Sequence, residues 1–167
     1  MIQKTLVLIK PDGVRRNLIG EIISCYEKAG LKIVELKMLL ASMKIIEKHY
    51  PMEEGFLRLI GEKSAKAGEK VDDVLEQGKK VVGWLRDFIT SGPLVAMVLE
   101  GEDAIAHVRK ITGYTDPSSA DKGTIRGDLG TDSILKANQE GRPVWNLIHA
   151  SGTPKEAKKE IELWFGK

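Results

Sequence analysis

Thr5-Leu6-Val7-Leu8-Ile9, followed at once by Lys10-Pro11-Asp12-Gly13, is the stretch on which the fold turns. Its apolar run is continuous rather than alternating, so neither face of the segment is suited to water. A strand of that kind is buried on both sides. Lys10-Pro11-Asp12-Gly13 reads as a turn. Lys10 follows directly on the buried strand, so its amine reaches the place where a central strand meets solvent. It is either a site residue or a snorkelling lysine. No GxxxxGK[ST] motif occurs in the chain, and the glycines after this strand do not open a GxGxxG helix. A P-loop fold is therefore excluded.

Working outward, Leu94-Val95-Ala96-Met97-Val98-Leu99 is as apolar as the first strand and should lie beside it at the centre of the sheet. Residues 20–29 place Ile22, Ile23, Tyr26 and Ala29 at helical spacing, with Gly30 as the stop. Leu31 to Leu40 reads as a second strand, and Glu35 and Lys37 on one face give it an edge position. Ser42 can cap a short helix that ends near His49-Tyr50, ahead of Pro51. Those two residues either finish the helix or belong to a site. Phe56, Leu57, Leu59 and Ile60 mark one short helix, and Gly61 to Gly68 reads as an exposed connection. From Val71 to Ile89 a single apolar stripe runs over five turns, ended by Gly92-Pro93. Asp103 starts a further helix carrying Ala104, Ile105, Val108 and Ile111, with His107 and Arg109 off its apolar centre.

Gly113 to Arg142 has little regular pattern beyond a turn of helix at Thr131–Asn138. Compact domains rarely keep so long a loop without a use for it. Its hydroxyls, Arg126 and the glycines of Gly123-Thr124-Ile125-Arg126-Gly127-Asp128 suit a polyphosphate, with a disordered surface loop as the alternative. Val144 to Ile148 then makes a short strand, and Thr153-Pro154-Lys155-Glu156 is a helix start with a capping box. His149 falls between them, among Ala150, Ser151 and Gly152, which leave it accessible. The closing helix, Pro154 to Phe165, buries Ala157, Ile161, Trp164 and Phe165. Glu160 projects at the rim of that face, either as an ordinary rim charge or to orient a neighbouring histidine. The element order fits the α+β class: a ferredoxin-like βαββαβ sandwich, with a four-stranded antiparallel sheet, helices on one face and extra helices inserted between strands two and three.

The chain has 167 residues, 42% of them hydrophobic and 30% charged, which describes one ordinary globular domain, 1–167. A formal net charge of +2, with no aromatics interleaved among basic residues on a strand, argues against nucleic acid. No apolar run is long enough for a membrane span. The one cysteine, Cys25, falls in a helical pattern and is a packed thiol, not half of an internal disulfide. No secretory leader or long C-terminal extension is expected, and the expected location is cytoplasmic.

Four blocks in order carry a resemblance: Ile9-Lys10-Pro11-Asp12-Gly13-Val14, Ser91-Gly92-Pro93, Gly123-Thr124-Ile125-Arg126-Gly127-Asp128 and Asn146-Leu147-Ile148-His149-Ala150-Ser151. With the closing Glu160-Ile161-Glu162-Leu163-Trp164-Phe165, they make nearly the whole chain resemble the nucleoside diphosphate kinases. The resemblance implies ping-pong transfer of a terminal phosphoryl group between nucleoside tri- and diphosphates, through a phosphohistidine on His149. It implies that Glu160 and Ser151 fix the ring, and that Tyr50 packs near it. Lys10, Arg109, Thr115 and Arg126 match phosphate ligands, and Asn146 a ligand of the sugar hydroxyl. Mg²⁺ would arrive on the nucleotide phosphates rather than in a preformed cage. Family members are homo-oligomers, hexamers or tetramers built from dimers. A catalytically silent nucleotide-binding regulator of the same fold is the alternative.

The chain also departs from the family pattern. Two segments, within about 51–90 and 129–143, read as insertions. Counting back from Ser91 puts Val81 at the base-stacking position, with Trp84 and Phe56 as alternatives. Gly152 stands where the family commonly has an aspartate.

Overall fold

In the computed structural model, which describes residues 1–166, the first strand runs from Ile2 to Ile9 (β1) and Leu6 to Ile9 are fully buried. Its antiparallel partner, Leu94–Glu102 (β3), pairs in register from Ile2↔Glu102 to Ile9↔Val95. Lys32–Leu39 (β2) pairs with the far side of β3, and Ile148–Ala150 (β4) with the far side of β1. The strand order is β2-β3-β1-β4, so the two most apolar strands are central and the charged one lies at an edge.

Alternation along β1 and β3 divides the core in two. Val7, Ile9, Val95, Met97 and Leu99 face Ile19–Lys28 (α2) and Ala104–Thr112 (α6), the two helices of the βαββαβ core. Leu6, Leu8, Leu94 and Ala96 face the other way. They are covered by Met43–His49 (α3), Glu54–Lys66 (α4), Val74–Ile89 (α5) and the closing helix, Pro154–Phe165. The inserted helices thus give the second apolar face of the sheet its cover. Each fully buried aliphatic side chain in these layers contributes roughly 1.5–3 kcal/mol.

Several local expectations are corrected. Lys10-Pro11-Asp12-Gly13 does not end in a simple turn; Pro11 takes the first position of a short helix, Pro11–Arg15 (α1), where its missing N–H costs nothing. Ser42 occupies the N-cap of α3 without making a side-chain cap bond. The long apolar stripe begins at Val74, where the Asp73 carboxylate accepts from the N–H groups of Leu75 and Glu76. Gly113 to Arg142 is largely ordered into a 3₁₀ turn (Pro117–Ser119), Ile125–Leu129 (α7) and Ile134–Gln139 (α8). The closing helix, α9, starts at Pro154 as expected, with Thr153 accepting the Glu156 N–H at 3.2 Å. Glu156 does not complete a capping box; its carboxylate reaches back to the N–H of Gly152 at 2.8 Å.

The expected connection from Gly61 to Gly68 is instead mostly helix. α4 continues through Gly61 to Lys66 because Gly61 and Gly78 let α4 and α5 meet backbone to backbone. A Cβ on Gly61 would lie 1.9 Å from the Val74 carbonyl oxygen, and one on Gly78 equally close to that of Leu57. Gly78→Ala must therefore push the helices apart, at about 1–3 kcal/mol or more. The expected result is a melting temperature lower by roughly 5–10 °C. Gly83, in the same helix, has nothing within 4 Å of an added Cβ, so Gly83→Ala is the control. It should leave the melt unchanged or raise it slightly through helix propensity.

Candidate active site

β4 pairs with β1 so that His149 lies directly opposite Leu8. Directly opposed residues in an antiparallel pair share a face. His149 therefore projects on the side of the inserted helices, and Lys10, two residues on from Leu8, continues that face. The apolar run expected as a strand from Val144 is not one: β4 is only the three residues around the histidine. Leu147 interrupts the extended chain at φ 67°, a left-handed conformation unusual for leucine. The Asp12 carboxylate accepts its N–H at 3.0 Å, and its carbonyl accepts the Lys10 N–H at 2.8 Å. Strain of this kind persists only where surrounding bonds over-determine it. Here α1 clamps the residue two before the histidine.

The Nε2 of His149 meets Glu160 Oε1 at 2.9 Å, and Ser151 Oγ donates to Glu160 Oε2 at 2.5 Å. A carboxylate can only accept, so Nε2 carries the proton in the neutral ring and Nδ1 keeps its lone pair. Burial works to raise the Glu160 carboxyl. The His149 ring beside it, that hydrogen bond, the nearby His49 and the Ser151 hydroxyl outweigh burial and hold it at about 2. The structure thus places the Glu160 carboxylate between the His149 ring and the Ser151 hydroxyl.

A second imidazole, unassigned from sequence, packs behind the first. The His49 and His149 rings meet edge to face with centroids 4.4 Å apart. Trp164 donates its indole N–H to His49 Nδ1 at 3.2 Å. Burial first, then His149, pushes the His49 imidazole down to about 3, against the pull of Glu160. Tyr50 is buried next to it, with ring centroids 4.6 Å apart, and burial raises its phenol.

His49 also predicts acid sensitivity. Unfolded, the ring binds a proton near 6.5; folded, not until about 3. Between those values the unfolded chain holds the extra proton, so stability falls as pH drops through that window. Glu160, at about 2 against an ordinary 4.5, extends the loss in the same direction at lower pH. Urea midpoints should fall steadily from about pH 6.5 downward. His49→Gln should flatten the upper part of that fall.

Around this pair the cations converge. Lys10 Nζ donates to Asn146 Oδ1 at 2.7 Å, and Asn146 Nδ2 donates to the Thr115 carbonyl at 2.8 Å. Burial lowers the Lys10 ammonium to about 8, with Asp12 opposing and Arg126 and Lys63 adding to the drop. Arg126 is buried and donates to the carbonyls of Asn146, Gly113 and Ile148. Arg109 and Thr115 face the same cleft. That cleft is about 480 Å³, within the range of small-molecule sites. Phe56, Ile60, Val81 and Leu85 make an apolar wall on it, while Trp84 is not part of the lining. Of the residues singled out from the sequence, the structure brings together His149, Glu160, Ser151, Tyr50, Lys10, Arg109, Thr115, Arg126, Asn146 and Val81, and of the two alternatives for the base it adds Phe56 but not Trp84.

His49, Glu156 and Lys63 also line the cleft. The adjacency of His49 to Tyr50 was the one signal available for the first. Lys63 had none, because a helix continuing through Gly61 was not legible.

Among the described residues, His49, His149 and Glu160 are the one trio whose donor atoms approach one another within 4.8 Å. Two imidazoles and one carboxylate do not suit Mg²⁺, which takes oxygen ligands. Both Glu160 oxygens and His49 Nδ1 already have partners.

The nucleoside diphosphate kinase family model matches residues 3–58 and 73–167. A nucleoside diphosphate kinase of Pyrobaculum aerophilum is 49% identical over 174 aligned residues, covering 98% of this chain and 95% of its own. A crystal structure of the NDP kinase from that organism aligns with a TM-score of 0.93 and 48% identity, over 99% of this chain and 96% of the other. The Borrelia burgdorferi enzyme, solved as a transition-state mimic with bound vanadate and ADP, aligns at 0.82 and 38% identity over 98% and 87% of the two chains.

Proposed function

The chain belongs to the nucleoside diphosphate kinase family, and from that premise we propose that it works by two successive displacements at His149 Nδ1. It moves the terminal phosphoryl group of a nucleoside triphosphate to a nucleoside diphosphate. In the first step the Nδ1 lone pair attacks the γ-phosphorus. The bond from that phosphorus to the bridging oxygen breaks, and its electron pair leaves on the diphosphate. In the second, the terminal oxygen of an acceptor diphosphate attacks the phosphohistidine, and the P–N electron pair returns to Nδ1. The Nε2 proton stays on the ring throughout. Phosphorylation makes the ring cationic in character, and the Glu160 carboxylate beside Nε2 offsets that charge without any proton changing place.

The observation that carries this reading is the His149–Glu160 bond, which in the neutral ring leaves the lone pair on Nδ1, in a cleft rich in cations. Lys10, Arg109, Arg126 and Thr115 are the proposed phosphate ligands, with Asn146 on the sugar and the apolar wall at Phe56 and Val81 against the base. Positioned cations of this kind are the main source of rate in phosphoryl transfer. Mg²⁺ belongs to the proposal as a charge-neutralising ion carried in on the nucleotide phosphates. A cytoplasmic location, where free nucleotides are found, is part of it too. So is assembly into a homo-oligomer built from dimers. In its support, edge strand β2 and the residue after it leave Leu36, Met38 and Leu40 about half exposed or more.

The test is incubation with γ-labelled ATP and Mg²⁺, followed by a GDP chase. Acid-labile, base-stable label that discharges to GTP is the expected result. No label on the protein, or label that survives acid, would overturn the phosphohistidine.

A further inference from the structure

Lys63 comes from a part of the chain that the family pattern does not reach: residues 59–72 fall in the break between the two matched segments. Its helix is nonetheless built into the cleft. Phe56, Ile60, Lys63 and Ser64 recur at helical spacing along one face of α4, and all four line the site. The backbone contact at Gly61, two residues before Lys63, fixes how far α4 stands from α5. The lysine is thus presented on a rigid element, not on a loop. The residue is half-buried, and its ammonium makes no hydrogen bond or salt bridge among the described residues. Burial, and then Arg109 and Arg126, hold its pKa below the usual lysine value, with Glu156 opposing. A lysine kept beside two arginines, with Glu156 near but not in an ion pair with it, raises the energy of the empty site, and a bound polyanion relieves it.

We infer that Lys63 is a further phosphate ligand of this enzyme, meeting the nucleotide's phosphate chain together with Lys10, Arg109 and Arg126. This rests on the phosphotransferase reading above and adds to it a contact supplied by the segment outside the family pattern. Asn146 and the Phe56–Val81 wall recognise the nucleoside, so Lys63 serves the phosphates alone. Its contribution should follow the charge of the ligand and fade with added salt.

The experiment compares wild type, Lys63→Ala, Lys63→Arg and Lys66→Ala by calorimetric titration with ADP and with adenosine. The γ-labelling reaction is run on each protein. Lys66 is exposed one turn along the same helix and serves as the control for changes to the helix itself. Losing one charge-assisted contact should weaken ADP binding by about tenfold in Lys63→Ala. Adenosine binding should be unchanged, and Lys63→Arg should restore most of the loss. Equal ADP affinity in wild type and Lys63→Ala overturns the inference, and so does a parallel loss for adenosine, which would mean a role in cleft shape. In both of those cases a wild type that labels on histidine leaves the phosphotransfer reading standing. A wild type that never labels fails that reading by itself, while the ADP and adenosine titrations still decide whether Lys63 meets phosphate.

Discussion

His149→Ala is expected to reduce phosphoryl transfer by roughly 10⁴-fold or more, the scale seen when a covalent nucleophile is removed. The depth of the loss follows from what surrounds the ring. His49 is the nearest replacement, but it is buried, and its Nδ1 is held by the Trp164 indole. Ser151 gives its hydroxyl to Glu160, and Cys25 lies in α2 against the opposite face of the sheet. None of these three side chains is therefore placed to take over from His149. Binding should survive, because Lys10, Arg109 and Arg126 keep their positions without the imidazole. The expected pattern is a collapse of kcat with ADP affinity within a few-fold of wild type. Steady-state assays beside calorimetric titration separate the two. A variant that keeps even a hundredth of its turnover would remove His149 from the reaction.

Arg126→Lys should be nearly as severe, and for two reasons at once. The guanidinium donates from Nε to the Asn146 carbonyl at 3.0 Å, from Nη1 to Gly113 at 3.1 Å, and from Nη2 to Ile148. Those three bonds tie the chain on both sides of Leu147 to the end of α6, and two of its five N–H groups remain for a phosphate. One ammonium cannot span three carbonyls in different directions. Each buried carbonyl left without a donor costs about 1–3 kcal/mol. The expected outcome is a melting temperature lower by roughly 5–15 °C. A loss of about 10³-fold in kcat/KM should accompany it, since misplacing a reacting group by an ångström is itself expensive. An unshifted melt with lost activity would reduce Arg126 to a phosphate ligand; the reverse would leave it a clamp only.

The helix behind the cleft shows where reading the sequence stopped. Apolar periodicity located α5 to within a few residues, because a long amphipathic stripe repeats its signal over many turns. The same reading cut α4 short at Gly61, since a glycine followed by lysines and glutamates looks like a connection. What overrode it was contact with a second helix, which only a glycine permits at that distance. Val144–Ile148 failed for a related reason. Its residues are apolar enough for a strand, but Asp12, far away in sequence, holds Leu147 in a left-handed turn.

By itself the sequence determined which strands are central, that no phosphate loop is present, and that one histidine is followed by small residues in the last part of the chain. Motif order added the family and the polar residues of the site. All of these are carried by local composition and spacing. Only the tertiary structure decided which nitrogen of His149 is free, because that depends on a carboxylate from α9 reaching a ring on β4. It likewise decided that His49 stays neutral and that Lys63 joins the cations. Protonation and charge are set by burial and by neighbours from distant segments, and those exist only once the chain has folded.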